Sequence, residues 1–195
     1  MTSLDLKDNF NAEACTDMRD MFNSCGYTAM ITLNLGNNFN AASETNMNSM
    51  FKNCGYTAMT SLNLGNNFNA SACTNMGFMF ENCQAKYVNW GKMNTANVTT
   101  MECMCSSSFK FMTQLDFSSF DTSKVENMSY MFAYCHTQRP LDLHNFNTER
   151  VKSMYGMFLR CETPALNIKG FSYKSIEPKK TDDMFTECRA TQIIR

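Results

Sequence analysis

The sequence lacks the features of several large functional classes. Its 17 Lys and Arg residues nearly balance 18 Asp and Glu residues, so the clustered positive charge that nucleic-acid binding requires is missing. No stretch approaches the ~20 consecutive apolar residues that cross a bilayer. The first residues lack the basic start and apolar run of a signal peptide. We therefore expect no nucleic-acid partner, no membrane span and no signal peptide in this chain.

Residues that could carry catalysis are also scarce. The chain has two histidines, His136 and His144, and neither stands at a motif spacing from a Ser, Asp or Cys partner. Nucleophile elbows, phosphate-binding loops and the HExxH motif of zinc enzymes are absent from the sequence. We therefore expect no enzyme, no cofactor, no metal site and no catalytic residue.

What the sequence has in excess is Met, Phe and Cys, with 18, 16 and 10 residues, and these recur at a fixed period. Each unit runs Leu-x-Leu, then Phe, then Met-x-x-Met-Phe-x-x-Cys, as in LDLHNFNTERVKSMYGMFLRC. Units begin at Leu4, Leu33, Leu62, Val88, Leu115, Leu141 and Leu166, and residues 191–194 resemble the start of another. The sequence therefore predicts one domain, 1–195, of about seven repeats, approximately 4–32, 33–61, 62–87, 88–114, 115–140, 141–165 and 166–195.

Within a unit, the spacing of the apolar residues changes as it does when a strand is followed by a helix. The alternation at Leu141 and Leu143 predicts a short strand, and Asn147-Thr148 resembles a helix N-cap. The apolar residues that follow a cap would share one helical face, as do Val125, Met128, Met131, Phe132 and Cys135. A lone unit buries too little apolar surface to fold, so units must stack. We predict an α/β fold, a leucine-rich-repeat-like solenoid with a parallel sheet on one face and short helices on the other.

The repeat also resembles a known family. The run Met-Phe-x-x-Cys, a short linker and Leu-x-Leu-x-x-Phe-[Asp/Asn]-Thr is similar to the repeats of BspA-like bacterial surface proteins, over essentially the whole chain. The fourth unit departs from the pattern, with Cys105 in the Phe position and Ser108 in the Cys position, and so does the seventh, in which SYKSIEPKKTDD replaces the first Met. The resemblance implies a fold related to leucine-rich repeats, a location at the cell surface or outside the cell, and a role in adhesion to host or partner surfaces.

Most cysteines recur at one repeat position, which indicates a structural role. A single column contains Cys25, Cys54, Cys83, Cys135, Cys161 and Cys188, and Cys15 and Cys73 share a position that Val fills elsewhere. Side chains stacked in a ladder project in parallel, so we predict buried free thiols, with disulfides as the alternative. The recurring Met residues likewise indicate core packing.

Four sulfur atoms in the segment Met101-Glu-Cys-Met-Cys105 would suit Cu(I). Met101, Met104 and Cys105 already fill core positions of the repeat, however, so we predict packing there instead of a metal site. Cys103 has no core position, which makes it a candidate for an exposed, reactive thiol.

The most regular outward feature is a column between the paired Leu positions that is always Asp or Asn. It comprises Asp5, Asn34, Asn63, Asn89, Asp116, Asp142 and Asn167, and the variable columns beside it include Tyr87, Gln114 and His144. One interpretation is that the column only hydrogen-bonds along the sheet and keeps it soluble. The other is a concave recognition surface, because solenoids usually bind through an extended sheet face. These ten residues form the predicted binding site.

Three functions are compatible with this pattern. The leading prediction is a non-enzymatic binding or adhesion module of a bacterial surface protein, which recognises a protein or glycan partner through the sheet face. The alternative is a structural solenoid that stacks end to end or dimerises through uncapped ends. Ice or crystal-surface binding ranks lowest, because it would use a repeated Thr array and the Thr residues form no column on the sheet.

Overall fold

Strands recur about once per repeat in the computed structural model, which describes residues 1–9, 12–43, 45–57, 59–91, 93–108, 110 and 116–195. They are β1 (Ser3–Asp5), β2 (Thr32–Asn34), β3 (Ser61–Asn63), β4 (Tyr87–Asn89), β5 (Leu141–Asp142), β6 (Glu162–Asn167) and β7 (Arg189–Ile194), and a 3₁₀ turn covers Lys7–Asn9. The chain is a parallel β-solenoid of about seven turns, and each repeat forms one of them. We number these coils one to seven in the order of the repeats.

The strands form two parallel sheets in which equivalent residues of successive coils lie side by side. One sheet has the order β1-β2-β3-β4 and the other the order β5-β6-β7. Leu33 pairs with Leu62, for example, and Asn34 pairs with Asn63. The strand predicted at Leu115 lies outside the described residues. The other predicted strands are confirmed, including the one at residues 191–194.

Ladders of apolar side chains fill the interior. The rings of Phe22, Phe51 and Phe80 stack with centroids 5.4 Å apart at each step. The ring of Phe158 likewise lies 6.0 Å from Phe132. The Met columns and most of the Cys column are buried in the same cluster. Each coil therefore covers the apolar side of its neighbours, which a single repeat cannot do alone.

The predicted short helices are wrong for the described part of the chain. The Met-x-x-Met-Phe-x-x-Cys segment instead forms a ribbon of consecutive turns, which we name the turn ribbon. In coil two, the amides of Met47 and Phe51 donate to the carbonyls of Asn75 and Met79 in coil three, at 2.9 and 2.8 Å. The amides of Met50, Lys52 and Cys54 donate three residues back within the ribbon. A helix would satisfy all of these groups internally.

The apolar spacing of the ribbon explains why it resembles a helix in the sequence. Two successive four-residue turns also bring residues i, i+3, i+4 and i+7 to one side, and Met47, Met50, Phe51 and Cys54 are all fully buried. The ribbon requires left-handed backbone twice per coil, as at Ser49 with φ 58°. Such a conformation costs about 1–2 kcal/mol for a residue other than glycine. The lateral hydrogen bonds between coils offset that cost.

The predicted helix caps are turns that join coils. Asn147 Oδ1 accepts the amide of Glu149 at 3.0 Å, as a cap would, but no helix follows. The buried hydroxyl of Thr148 donates to the carbonyl of Ser172 in the next coil, at 3.1 Å. Thr122 and Thr95 make the same bond one and two coils earlier. None of the described helical segments is long and apolar enough to cross a membrane.

Candidate functional site

The Asp/Asn column of the first sheet is a hydrogen-bond ladder. Asn34 Nδ2 donates to Asp5 Oδ1 at 3.1 Å, and Asn63 Nδ2 donates to Asn34 Oδ1 at 2.9 Å. Asn89 Nδ2 donates to Asn63 Oδ1 at 2.8 Å, and the same oxygen accepts the amide of Gly65 at 3.0 Å. The Asn63 side chain thus takes part in three bonds while half-buried. These amides match the interpretation of a ladder along the sheet, and little of their hydrogen-bonding capacity is left for a partner.

The glycine that stands two residues after each Asn in this sheet is required by close packing. Gly65 has a φ of +82°, and a Cβ built there would clash with the carbonyl oxygen of Gly36 in the preceding coil. An L side chain is disfavoured at this position on both counts. The sequence Asn-Leu-Gly therefore encodes a turn that ends the strand.

The same column is more exposed and more charged in the second half of the molecule. Asp142 Oδ1 accepts the amide of His144 at 3.2 Å and lies 2.9 Å from its Nδ1. Desolvation would raise the pKa of Asp142, but the hydrogen bonds from His144 outweigh it, so the pKa is lowered. Hydrogen bonds from Ser118 lower the pKa of Asp116. Asn167 Oδ1 accepts the amide of Lys169 at 3.2 Å.

The remaining predicted site residues do not converge with the column into one pocket. Tyr87 is exposed at the start of β4, and Gln114 lies outside the described residues. The predicted residues are spread over two sheets, with Asn89 at the last strand of one and Asp142 at the first strand of the other. Their role in binding remains a prediction.

A groove that the sequence did not reveal lies beside the Cys column in coils five to seven. It has a volume of about 490 Å³ and is lined by Tyr134, His136, Arg160, Glu162, Glu187 and Arg189. We name it the charged groove. Its members stand directly before and directly after the column cysteines Cys135, Cys161 and Cys188. The turn ribbon and the start of the second sheet therefore present them together.

One side of the charged groove is organised by Arg160. Its Nη2 donates to Glu187 Oε1 at 2.9 Å, and its guanidinium lies 5.9 Å from the ring centroid of Tyr134. The hydrogen bond from Arg160 holds the pKa of Glu187 below its ordinary value. Arg160 and Glu187 are both more than half exposed, so the pair is open to a partner.

The other side is organised by Glu162. Its Oε2 lies 2.9 Å from His136 Nδ1, and its Oε1 accepts a hydrogen bond from Arg189 Nη1 at 3.1 Å. The hydrogen bond with His136 is the main cause of a lowered pKa of Glu162. Together with Arg160 and Glu187, these side chains place positive and negative groups alternately along three coils.

In the sequence, the charged groove is indicated by a change of residue type at one repeat position. The residue before the column cysteine is Asn53 in coil two and Asn82 in coil three, and Asn82 Nδ2 donates to Asn53 Oδ1 at 3.0 Å. In coils five to seven the same position holds Tyr134, Arg160 and Glu187. The predicted binding residues lie on the sheet face only and do not include this position.

The cysteines are free thiols that are buried or half-buried. All ten cysteines are free, and those of the column are buried or half-buried. Desolvation, and then the nearby carboxylates of Glu102 and Glu81, raise the pKa of Cys103 to about 12. Cys103, the candidate for an exposed thiol, is half-buried instead of exposed, and its raised pKa favours the protonated thiol. No group of three His, Cys, Asp or Glu residues in the described part of the chain is arranged to hold a metal ion.

Comparison with known proteins identifies one family. The profile of the family described as "Mycoplasma protein of unknown function, DUF285" matches residues 2–117 and 74–194, and the two overlapping matches cover nearly the whole chain. No curated protein and no solved structure matches. The family match does not extend to the BspA-like proteins by name. The chain therefore belongs to the DUF285 family of Mycoplasma proteins.

Proposed function

We propose that the chain is a non-enzymatic binding module displayed at a bacterial cell surface, and that it recognises a partner through the charged groove. The resemblance of its repeats to BspA-like surface proteins supports surface display and adhesion. The observation that carries the proposal is the exposed, alternating arrangement of Arg160, Glu187, Glu162 and Arg189 on stacked coils. This arrangement moves the proposed surface from the sheet face to the flank of the Cys column.

The scaffold under the groove suits recognition. Cys135 and Cys161 are fully buried directly beneath it, and the backbone of each coil is hydrogen-bonded to the next. Tyr134 N, for example, donates to Leu159 O at 2.7 Å. Charged side chains on such a support lose less conformational freedom on binding than side chains on a mobile loop.

The chemistry of the groove favours a protein over a glycan as the partner. Arg and Tyr are the residue types that most often dominate protein interfaces, and the groove contains both. Its charges alternate in sign, which complements a mixed-charge protein surface and fixes the register of docking. Arg160 also lies over the ring of Tyr134, so that face of the ring is not free to stack against a sugar.

The test is a charge swap that keeps the ion pair but inverts its pattern. The double variant Arg160→Glu/Glu187→Arg should bind cultured epithelial cells at least about tenfold more weakly than the unmodified chain, because the complementary charges are reversed. Flow cytometry with the labelled chain measures this. The matched control is Lys152→Glu/Glu126→Lys, which swaps an exposed pair at 2.7 Å outside the groove and should bind normally.

Treatment of the cells separates the partner classes. Protease treatment should abolish binding of the unmodified chain, and glycosidase treatment should leave it intact. The opposite result would replace the protein partner with a glycan. Normal binding by the groove swap would rule the groove out.

The sheet face is the second candidate surface, favoured by the exposure of Tyr87 and by the exposed pair of His144 and Asp142. The variant Tyr87→Ala/His144→Ala tests it in the same assay. A loss of binding in this variant with normal binding in the groove swap would move the site back to the sheet.

A further inference from the structure

Aromatic side chains stand at one outward position of the turn ribbon in coils three and five. The first residue of each ribbon with left-handed backbone is Ser49 in coil two, Phe78 in coil three and Tyr130 in coil five, with φ of 58°, 58° and 55°. Bulky residues are rare in this conformation, because their side chains crowd the backbone. Such strain persists mainly where the side chain serves a function. The rings of Phe78 and Tyr130 are therefore candidates for a functional role.

The ring of Phe78 has a cation and a carboxylate from its own chain. Lys52 of coil two lies over the ring, with its Nζ 5.1 Å from the centroid. The same Nζ is 2.7 Å from Oε2 of Glu81. A cation over an aromatic face is attracted by the electrons of the ring, and a carboxylate beside it adds to the attraction. Phe78 therefore takes part in a cation–π arrangement that is complete within the chain.

Tyr134 repeats this arrangement at the second left-handed position of the ribbon. The guanidinium of Arg160 in coil six lies 5.9 Å from the ring centroid, and its Nη2 donates to Glu187 in coil seven at 2.9 Å. All three residues have left-handed backbone, so ring, cation and carboxylate occupy equivalent positions in coils five, six and seven. The stacking of coils thus readily places a cation between an outward ring and a carboxylate.

Tyr130 has the ring and the carboxylate of this arrangement but a glycine in place of the cation. Its equivalents in coils six and seven are Gly156 and Asp183, which also have left-handed backbone. A glycine therefore stands at the position, relative to the ring, that Arg160 occupies relative to Tyr134.

The preceding coil supplies no cation to Tyr130 either. Lys52 stands directly after the ribbon Phe of coil two, and the equivalent residue in coil four is Ser106, which follows Cys105. The Ser106 side chain is buried, and its hydroxyl donates to the carbonyl of Ala133 at 3.2 Å. Neither of the two repeat positions that provide a cation to the other rings does so here.

The rings of Tyr130 and Tyr155 and the carboxylate of Asp183 form one corner of the turn ribbon, which we name the aromatic corner. The Tyr130 ring lies over Gly156, where an added Cβ would be 2.5 Å from its Cε1. The centroid of the Tyr155 ring is 5.3 Å from that of Tyr130, with the two planes at 70°. The Tyr155 hydroxyl donates to Asp183 Oδ2 at 2.8 Å. Both rings are half-buried, so part of each is open to a partner.

The carboxylate of Asp183 is ionised at neutral pH. Hydrogen bonds from Tyr155 and then from Thr186 hold its pKa below the ordinary value. Both donors are uncharged, so they do not neutralise the negative charge. The hydrogen bond with Asp183 raises the pKa of Tyr155 to about 12, so the phenol stays protonated and remains a donor. The aromatic corner therefore combines two rings with one negative charge, which is the chemistry that attracts a cation.

We infer that the aromatic corner binds a lysine or arginine side chain of the partner protein, in the place that cations of the chain itself take beside the other two rings. The inference rests on the proposed function. The corner adjoins the charged groove, since Tyr130 and Tyr134 belong to one turn ribbon, as do Asp183 and Glu187. A basic side chain also fits the mixed-charge protein surface that complements the groove.

Binding of the labelled chain to epithelial cells tests the aromatic corner with a residue that the same position holds in another coil. Tyr130→Ser, which introduces the residue type of Ser49, should bind at least about tenfold more weakly, because the cation loses its ring. The matched control is Phe78→Ser, which removes a ring that already has Lys52 and should bind normally. Circular dichroism checks that both variants are folded. Normal binding by Tyr130→Ser, or an equal loss in Phe78→Ser, would overturn the inference.

A small probe separates this inference from the proposed function. Methylguanidinium chloride, titrated at constant ionic strength into the chain with isotope-labelled tyrosine, should shift the ring NMR resonances of Tyr130 and Tyr155 in a saturable way. Asp183→Asn keeps an acceptor for the Tyr155 hydroxyl but removes the charge, and it should weaken probe binding at least about threefold. No saturable shift, or equal affinity in Asp183→Asn, would overturn the inference even if the groove swap loses cell binding. A saturable shift together with normal cell binding by the groove swap would support the aromatic corner and reject the charged groove.

Discussion

Coils two and three differ from coils five to seven in the partners of their surface polar side chains. In the first region, uncharged amides bond to each other from coil to coil, as Asn63 does with Asn34 and Asn82 does with Asn53. In the second, the residues before and after the column cysteine form ion pairs that remain exposed, such as the pair of Arg160 and Glu187. In the first region the polar side chains hydrogen-bond to each other, whereas in the second the exposed charged side chains remain available for a partner.

The interiors of the two regions show no such difference. Phe51 stacks on Phe80 at 5.4 Å in one region, and Phe132 stacks on Phe158 at 6.0 Å in the other, with the planes within 5° in both cases. Buried cysteines continue through both regions. A shared interior with different surfaces means that the stacking geometry tolerates changes in the exposed columns, which is where recognition can specialise.

The largest expected effect tests whether the interiors are equivalent. Burial raises the pKa of Cys83 to about 11 and that of Cys135 to about 12. Because the thiolate is the reactive form, both should react with iodoacetamide about a hundredfold or more slowly in the folded chain than in urea. Mass spectrometry of the labelled peptides measures the rates. Fast labelling of Cys135 with slow labelling of Cys83 would break the equivalence.

A second effect concerns the Phe ladder. Phe51→Ala and Phe158→Ala should each lower the free energy of unfolding by about 3–5 kcal/mol, since both remove a fully buried ring. Urea denaturation measures the change. Tyr130→Ala, at a half-buried position of the turn ribbon, is the control and should cost less. A large loss for one Phe variant and a small one for the other would contradict the account of one continuous core.

A smaller effect should separate the two surfaces. Asn63→Ala removes three hydrogen bonds from a half-buried ladder and should cost about 1–3 kcal/mol of unfolding free energy. Asp142→Ala acts on the exposed part of the same column and should cost less than about 1 kcal/mol. Equal losses in urea denaturation would show that the column plays the same structural part in both sheets.

The smallest effect on stability is expected in the charged groove. Arg160 lowers the pKa of Glu187, so this pair stabilises the fold at neutral pH, and its contribution is lost as the pH falls through the lowered pKa. Arg160→Met should return the pKa of Glu187 to its ordinary range, with little change in stability at neutral pH. Carbon-detected NMR titration follows the carboxyl group. An unchanged pKa in the variant would remove Arg160 as the cause.

Much of the fold could be predicted from the sequence, because stacking requires the same residues in every coil. The alternation of Leu141 and Leu143 identified a strand, and the recurrence of Met and Phe identified the core. The helices were wrong because the four-residue turns of the ribbon bury the same positions as a helix does. The helix cap predicted at Asn147 was wrong for a related reason, since this residue accepts the same type of hydrogen bond in a turn as at a helix cap.

The candidate site was less predictable. The outward Asp/Asn column is the most regular surface feature, but regularity at Asn63 reflects bonding between coils. The charged groove depends on irregular residues, and its members come from two columns and three coils. Only the register of the folded chain brings Tyr134, Arg160 and Arg189 into one groove.

The account assigns stability to the Asn ladder and partner binding to the charged groove. Measuring stability and cell binding on the same protein preparations tests this assignment. The account predicts that Asn63→Ala loses unfolding free energy but binds epithelial cells normally below its unfolding temperature, whereas Arg160→Glu/Glu187→Arg keeps its stability but loses binding. Normal binding by the groove swap, or a loss of binding by folded Asn63→Ala, would contradict it.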